Sequence, residues 1–309
     1  MIEITGLTKR YGSLTALSEL NLHISPGEIF GFIGPNGAGK TTTMRILATL
    51  LEPTAGKASI NGVDVMRQGK QVRRLVGYMP DFMGVYDDLK VYEYLEFFAA
   101  AFNIDRAKRK GIVEGVLELT DLTEKKAATV DSLSRGMQQR LGLARVLIHD
   151  PKVLILDEPA SGLDPRARIE MRMLLRELKT MGKTIMISSH ILSELEEMCD
   201  NVGIIEQGHL IFSGTMQDIH AKLGLGCKLR VYVPPEQTGR ARELLASLPQ
   251  VHQVDAVNEH LLVTMQNPDS PNGLLARTLV QGGLDLLQLV PEQIKLDEAF
   301  LQLTKGLVQ

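Results

Sequence analysis

Residues 34–42 read GPNGAGKTT, between the apolar run IFGFI and a stretch with helical spacing, TTMRILATLL. A strand, a glycine-rich loop ending in Gly-Lys-Thr and a helix, at the spacing G-x-x-x-x-G-K-T, is a demanding combination. The glycines let the backbone curl so that successive N–H groups point at phosphate oxygens. The helix that begins near Lys40 adds its positive end. Lys40 is placed to reach the β- and γ-phosphates, and the Thr41 hydroxyl to ligate Mg²⁺. The reading makes Gly34, Pro35, Asn36, Gly37, Ala38, Gly39, Lys40, Thr41 and Thr42 the nucleotide-binding loop, with ATP and Mg²⁺ as ligands.

A second stretch, VLILDEP at 153–159, starts as a buried strand and ends in adjacent acids, Asp157 and Glu158. Carboxylates are seldom fully buried without a partner, and neighbours repel. A phosphate loop answers this, because in such folds a second strand ends beside the phosphates and its terminal acid holds the metal. Asp157 is the expected Mg²⁺ ligand, directly or through water. Glu158 points elsewhere and is the candidate to polarise the water attacking the γ-phosphate.

Further strands are expected at IEITGLTKRY, NLHIS, TIMIS (184–188) and NVGIIEQG, and helical periodicity dominates 91–122. Strands alternating with helices imply a largely parallel sheet. After about residue 217 the order becomes β-α-β-β-α-β, the ferredoxin-like arrangement, closed by a helical LDEAFLQLTKG. The expected organisation is an α/β phosphate-loop domain over 1–217, with a helical subdomain at about 85–150. A small α+β domain is expected over 218–309.

The net charge of −3 over 309 residues makes no bulk electrostatic case for nucleic acid as a partner. Two cysteines, Cys199 and Cys227, argue for a reducing compartment rather than a disulfide framework. The amino terminus has no apolar signal region, and no apolar run approaches the ~20 residues that span a bilayer.

With the phosphate loop, LSRGMQQRLGLAR at 133–145, VLILDEP and ASGLDP, the chain resembles the ATPase subunits of ABC transporters over residues 1–217. LSRGMQQR is similar to the family signature. The resemblance implies that Ser134, Gly136, Met137 and Gln138 contact the γ-phosphate of ATP held by a partner subunit. The family commonly has glycine where this chain has Arg135. Tyr11 matches the aromatic that stacks on adenine, Asp164 the loop coupling two sites, and His190 the switch histidine at the γ-phosphate.

One position departs more clearly. After VGYMP the family usually has glutamine, and this chain has Asp81. Asp81 is either near the metal, as an oxygen ligand, or a cap on the following turn. The resemblance implies an ATP-hydrolysing dimer, homo- or heteromeric, that drives a separate integral membrane permease. It would lie in the cytoplasm, peripheral on the inner face of the cell membrane. The C-terminal region is similar to appended domains of exporter-like systems. The competing readings are a non-transport ABC ATPase and an ATP-dependent regulatory subunit.

Overall fold

The computed structural model describes residues 1–82, 84, 88–189, 192–215, 218–219, 228–266 and 273–291. The chain divides into two compact units, with the boundary between residues 215 and 216.

The first unit opens with β1 (Ile2–Tyr11) and β2 (Leu14–Ile24), an antiparallel pair. There follow β3 (Ile29–Ile33), α1 (Lys40–Leu47), β4 (Ala55–Ile60), β5 (Val63–Asp64), α2 (Gly69–Leu75) and β6 (Val76–Met79). Then come α3 (Val91–Ala101), α4 (Arg106–Leu119), α5 (Arg135–Leu147), β7 (Val153–Asp157) and α6 (Pro165–Thr180). The unit ends with β8 (Thr184–Ser189), α7 (Leu192–Met198), β9 (Asn201–Glu206) and β10 (His209–Gly214).

Two sheets form. One is antiparallel, in the order β2-β1-β4-β5, and the other has six strands in the order β10-β9-β3-β8-β7-β6. In the second, β3, β6, β7, β8 and β9 are parallel, and β10 returns antiparallel along β9. Every residue of β3, β7 and β8 is buried, which is why these strands are continuous apolar runs rather than alternating ones. Residues of both sheets, with Met44, Ile46 and Leu47 of α1, share one core. Truncating a fully buried member such as Ile155 to alanine would cost about 2–5 kcal/mol.

The helical expectation for 91–122 resolves into α3 and α4, both of which touch α5. Val91, Tyr94 and Leu95 of α3 and Val113, Val116 and Leu117 of α4 are buried at the i, i+3, i+4 spacing of an apolar stripe, and the two helices pack together. Asp105 starts α4 by accepting the Ala107 N–H at 3.1 Å.

Sequence periodicity misses β4, β5, α2, β6 and α6. In β4, AGKASI, the first three residues are exposed and Gly56 has φ 87°, so only its last three carry a strand pattern. NLHIS is the end of an eleven-residue strand, β2.

The second unit contains β11 (Lys228–Tyr232), α8 (Thr238–Ala246), β12 (Val251–Val257), β13 (His260–Met265), α9 (Gly273–Gln281) and β14 (Gln288–Pro291). Its strands form an antiparallel sheet in the order β12-β13-β11-β14. Alternate residues of β11 and β13 point inward, and with Leu245 of α8 and Leu275 and Leu279 of α9 they build a separate core. The closing LDEAFLQLTKG lies outside the described residues.

Candidate functional site

Parallel pairing puts the carboxyl ends of β3, β8 and β7 side by side, the edge where open α/β sheets bind ligands. The loop from β3 to α1 turns at Gly39, whose φ is 110°. A Cβ there would lie 2.7 Å from the Ala16 carbonyl oxygen and 2.7 Å from Leu17 Cδ2, so only glycine fits. Helix α1 has no side-chain cap and no acid in its first turn. Its leading N–H groups are left to an anion.

Lys40 is buried, and its Nζ donates to the carbonyls of Gly34 at 2.6 Å and Pro35 at 3.1 Å. Burial lowers its pKa below the usual lysine range, and the carboxylates of Glu158 and Asp157 oppose that shift. Lys40 thus brings a positive charge near the two acids at the end of β7.

Those acids part company at once. Asp157 stays in the strand, opposite Ser188 of β8, and is only 2% exposed. Ser188 Oγ donates to Asp157 Oδ1 at 2.6 Å and accepts the Glu158 N–H at 2.9 Å. Glu158 leaves the strand with φ 52°, the left-handed region, and its carbonyl accepts the Ser161 N–H at 3.0 Å. One cavity is lined by Pro35, Asn36, Gly37, Ala38, Gly39, Lys40, Thr41, Thr42, Asp81, Asp157 and Glu158. Asp81 is therefore on the wall that carries the other two acids.

The remaining predicted residues lie elsewhere or outside view. Ser134 caps α5 by accepting the Met137 N–H at 3.4 Å, and Asp164 caps α6 by accepting the Ala167 N–H at 3.0 Å. The two helix starts touch: a Cβ on Gly136 would be 3.1 Å from Ala167 Cβ. Gln138 Nε2 donates to the Val130 carbonyl at 3.4 Å. Tyr11 is half exposed at the end of β1, with Lys9 Nζ 5.1 Å above its ring centre. Among the described residues lining the cavity, none is from Tyr11, 134–138 or Asp164. His190 lies outside the described residues.

Sequence reasoning missed Ser188, which joins both acids, and Arg140, which bridges Asp121 after α4 and Glu170 of α6. The available signal for Ser188 was a hydroxyl in SSH, at the end of a strand adjacent to the acids. Nothing local marks Arg140.

Fold and site define a phosphate-loop nucleotide-binding protein. Comparison with known proteins narrows this. The ABC transporter family matches residues 17–161. The Nod factor export ATP-binding protein I of Rhizobium etli is 35% identical over 305 residues, covering 98% of this chain and 93% of that protein. The bacitracin transport ATP-binding protein BcrA of Bacillus licheniformis is 35% identical over 307 residues, covering 99% and 98%. A solved ATP-binding subunit of an ABC transporter superposes with a TM-score of 0.66 at 31% identity, over 73% of this chain and 94% of that one. A dimeric bacterial ABC transporter cassette gives 0.64 at 25% identity, over 70% and 99%. The chain belongs to the ABC transporter family, as an ATP-binding subunit with an ATPase cassette.

Proposed function

We propose that this chain is the motor of an export system, hydrolysing ATP as a head-to-tail dimer and driving a separate membrane-spanning permease. Similarity to proteins named for Nod factor export and bacitracin transport supports the transport reading and its direction. Among the described residues no helix is long and apolar enough to cross a membrane; in this reading the path for cargo belongs to another chain. That partner would hold this one at the inner face of the membrane.

The observation that carries the dimer is the separation of parts within one chain. The phosphate loop and the acids line one cavity, while Ser134, Gly136, Met137 and Gln138 start a helix that does not. A symmetric pair, each presenting the start of α5 to the other's loop, makes two complete sites. In each, the loop amides and Lys40 bind the β- and γ-phosphates, and the partner's Ser134 and Gly136 close on the γ-phosphate. Tyr11 stacks on the base, Glu158 takes the proton of the attacking water, and His190 and Asp164 complete the surroundings.

The residues fit Mg²⁺. That ion keeps most of its waters and takes one or two protein oxygens. Thr41 and Asp157 line the cavity together, and Asp157 has only its Oδ1 engaged by Ser188. Mg²⁺ would neutralise the charge that develops on the phosphates, and Asp81 stands within the same wall. We read the second unit as a ferredoxin-like accessory domain on the strength of its strand order.

The test is to tag the chain in its host and purify it from detergent-extracted membranes. The expected result is co-purification of a multispan membrane protein, with ATPase activity that changes when that protein's gene is deleted. A chain found wholly outside the membrane fraction, with turnover indifferent to every membrane protein, would overturn the transport reading.

A further inference from the structure

Arg135 stands where the family's signature commonly has glycine, and its side chain goes to a defined place. Gly162, in the turn between Glu158 and Asp164, has φ 68°, and a Cβ built there would fall inside the Arg135 guanidinium. The guanidinium therefore packs against Gly162, in space that the missing side chain leaves free. We propose that Arg135 is a positioning residue: it clamps the 158–164 turn to the start of its own α5, and so holds Glu158 in the same chain's site.

The turn is pinned at both ends. The Glu158 N–H is held by Ser188, and the Asp164 carboxylate is spent on the Ala167 N–H. Inside it, the Ser161 N–H reaches the Glu158 carbonyl at 3.0 Å and the Leu163 N–H the Ala160 carbonyl at 3.3 Å. Arg135 covers its middle at Gly162, and Arg168 Nε donates to the Leu163 carbonyl at 2.9 Å further on. Two more contacts continue the seam along the two helices: Gly136 against Ala167, and Arg140 paired with Glu170. Glu158 itself sits in a left-handed conformation, one that a non-glycine residue keeps only when its surroundings impose it. Loosening the turn gives Glu158 slack, and misplacement of a catalytic group by an ångström is costly. A broad planar guanidinium fills the space over Gly162 in a way that a compact lysine ammonium does not.

This rests on the composite dimer, in which the start of α5 completes the partner's site. A signature residue would then be expected to act in trans, on the partner's ATP. The clamp acts in cis, and that difference is measurable.

Three mixtures are compared, each with the second chain in large excess so that the first is found only in mixed dimers. The reference is wild type with Lys40→Ala, where the one live site combines a wild-type loop and acids with an intact signature. The second is Arg135→Ala with Lys40→Ala, where the live site keeps an intact signature but its own 158–164 turn is unclamped. The third is wild type with the Lys40→Ala, Arg135→Ala double variant, where the clamp is missing only from the chain supplying the signature. The expected result is a kcat roughly tenfold lower in the second mixture, with KM for ATP unchanged and the third matching the reference.

Arg135→Lys alone should behave like Arg135→Ala. A loss confined to the third mixture, an equal loss in both, or no loss in either overturns the clamp. If excess Lys40→Ala chain does not raise the rate of dilute wild type, the composite dimer itself fails, a result separate from the other three. Matching thermal melts of wild type and Arg135→Ala check that the exposed side chain is not needed for folding.

Discussion

Ser188 Oγ donates to Asp157 Oδ1 at 2.6 Å and, from the same oxygen, accepts the Glu158 N–H at 2.9 Å. One buried hydroxyl thus fixes the carboxylate of one acid and the backbone of the next. Replacing it with alanine leaves a buried carboxylate oxygen without its donor, a loss of about 1–3 kcal/mol. Ser188→Ala should lower the melting temperature and reduce kcat by about tenfold or more. Binding of ATP without metal should be little affected, because the loop is untouched. Calorimetry and steady-state rates check this, and an unchanged kcat would remove Ser188 from the site.

Glu158→Gln should keep ATP binding and lose turnover. Asp157 and the loop survive, while the attacking water would lose its proposed proton acceptor. With ATP bound and unhydrolysed, the variant should elute as a dimer by size exclusion, and wild-type turnover would transfer the role to another residue.

Lys40 makes a prediction about pH. Its pKa in the folded chain lies below the ordinary 10.5, chiefly because it is buried. Between that lowered value and 10.5 the unfolded chain binds more protons than the folded one. The contribution of Lys40 to stability therefore rises with pH across that window. Without nucleotide, the stability of wild type minus that of Lys40→Met should shift in favour of wild type as pH climbs toward 10.5. Urea titrations at several pH values test this, and a pH-independent difference contradicts it.

Asp81 lines the cavity with Asp157 and Glu158. Without metal, three carboxylates facing ATP repel it. Asp81→Asn should bind ATP more tightly in the absence of Mg²⁺, so that Mg²⁺ improves its affinity less than it does for wild type. Hydrolysis should persist in the variant. Identical Mg²⁺ titrations would make Asp81 a turn residue only.

How much of this was readable from the chain alone follows from the range of each interaction. GPNGAGKTT and VLILDEP are local patterns whose geometry is set by a few consecutive residues, and both land on one cavity. The start of α5 is legible for the same reason, since Ser134 caps it from three residues away. Ser188 is not, because its role arises from β7 and β8 lying parallel, thirty residues apart in sequence. Nor is the seat of Arg135 on Gly162, which depends on where two helices start. The strands β4 and β5 escape because half of β4 is exposed and β5 has only two residues.

The proposed sharing of each site between two chains can be read out by mixing two defective variants. Lys40→Ala lacks the loop charge, and Ser134→Ala lacks the proposed phosphate contact as well as a helix cap worth about 1 kcal/mol. Each alone should hydrolyse ATP poorly. In a mixed dimer one site carries both defects, and the other combines the loop of one chain with the signature of its partner, both intact. The equimolar mixture should exceed either parent in ATP turnover. A mixture no faster than the mean of its parents, or a strictly monomeric chain turning over at the dimer's rate, would contradict it.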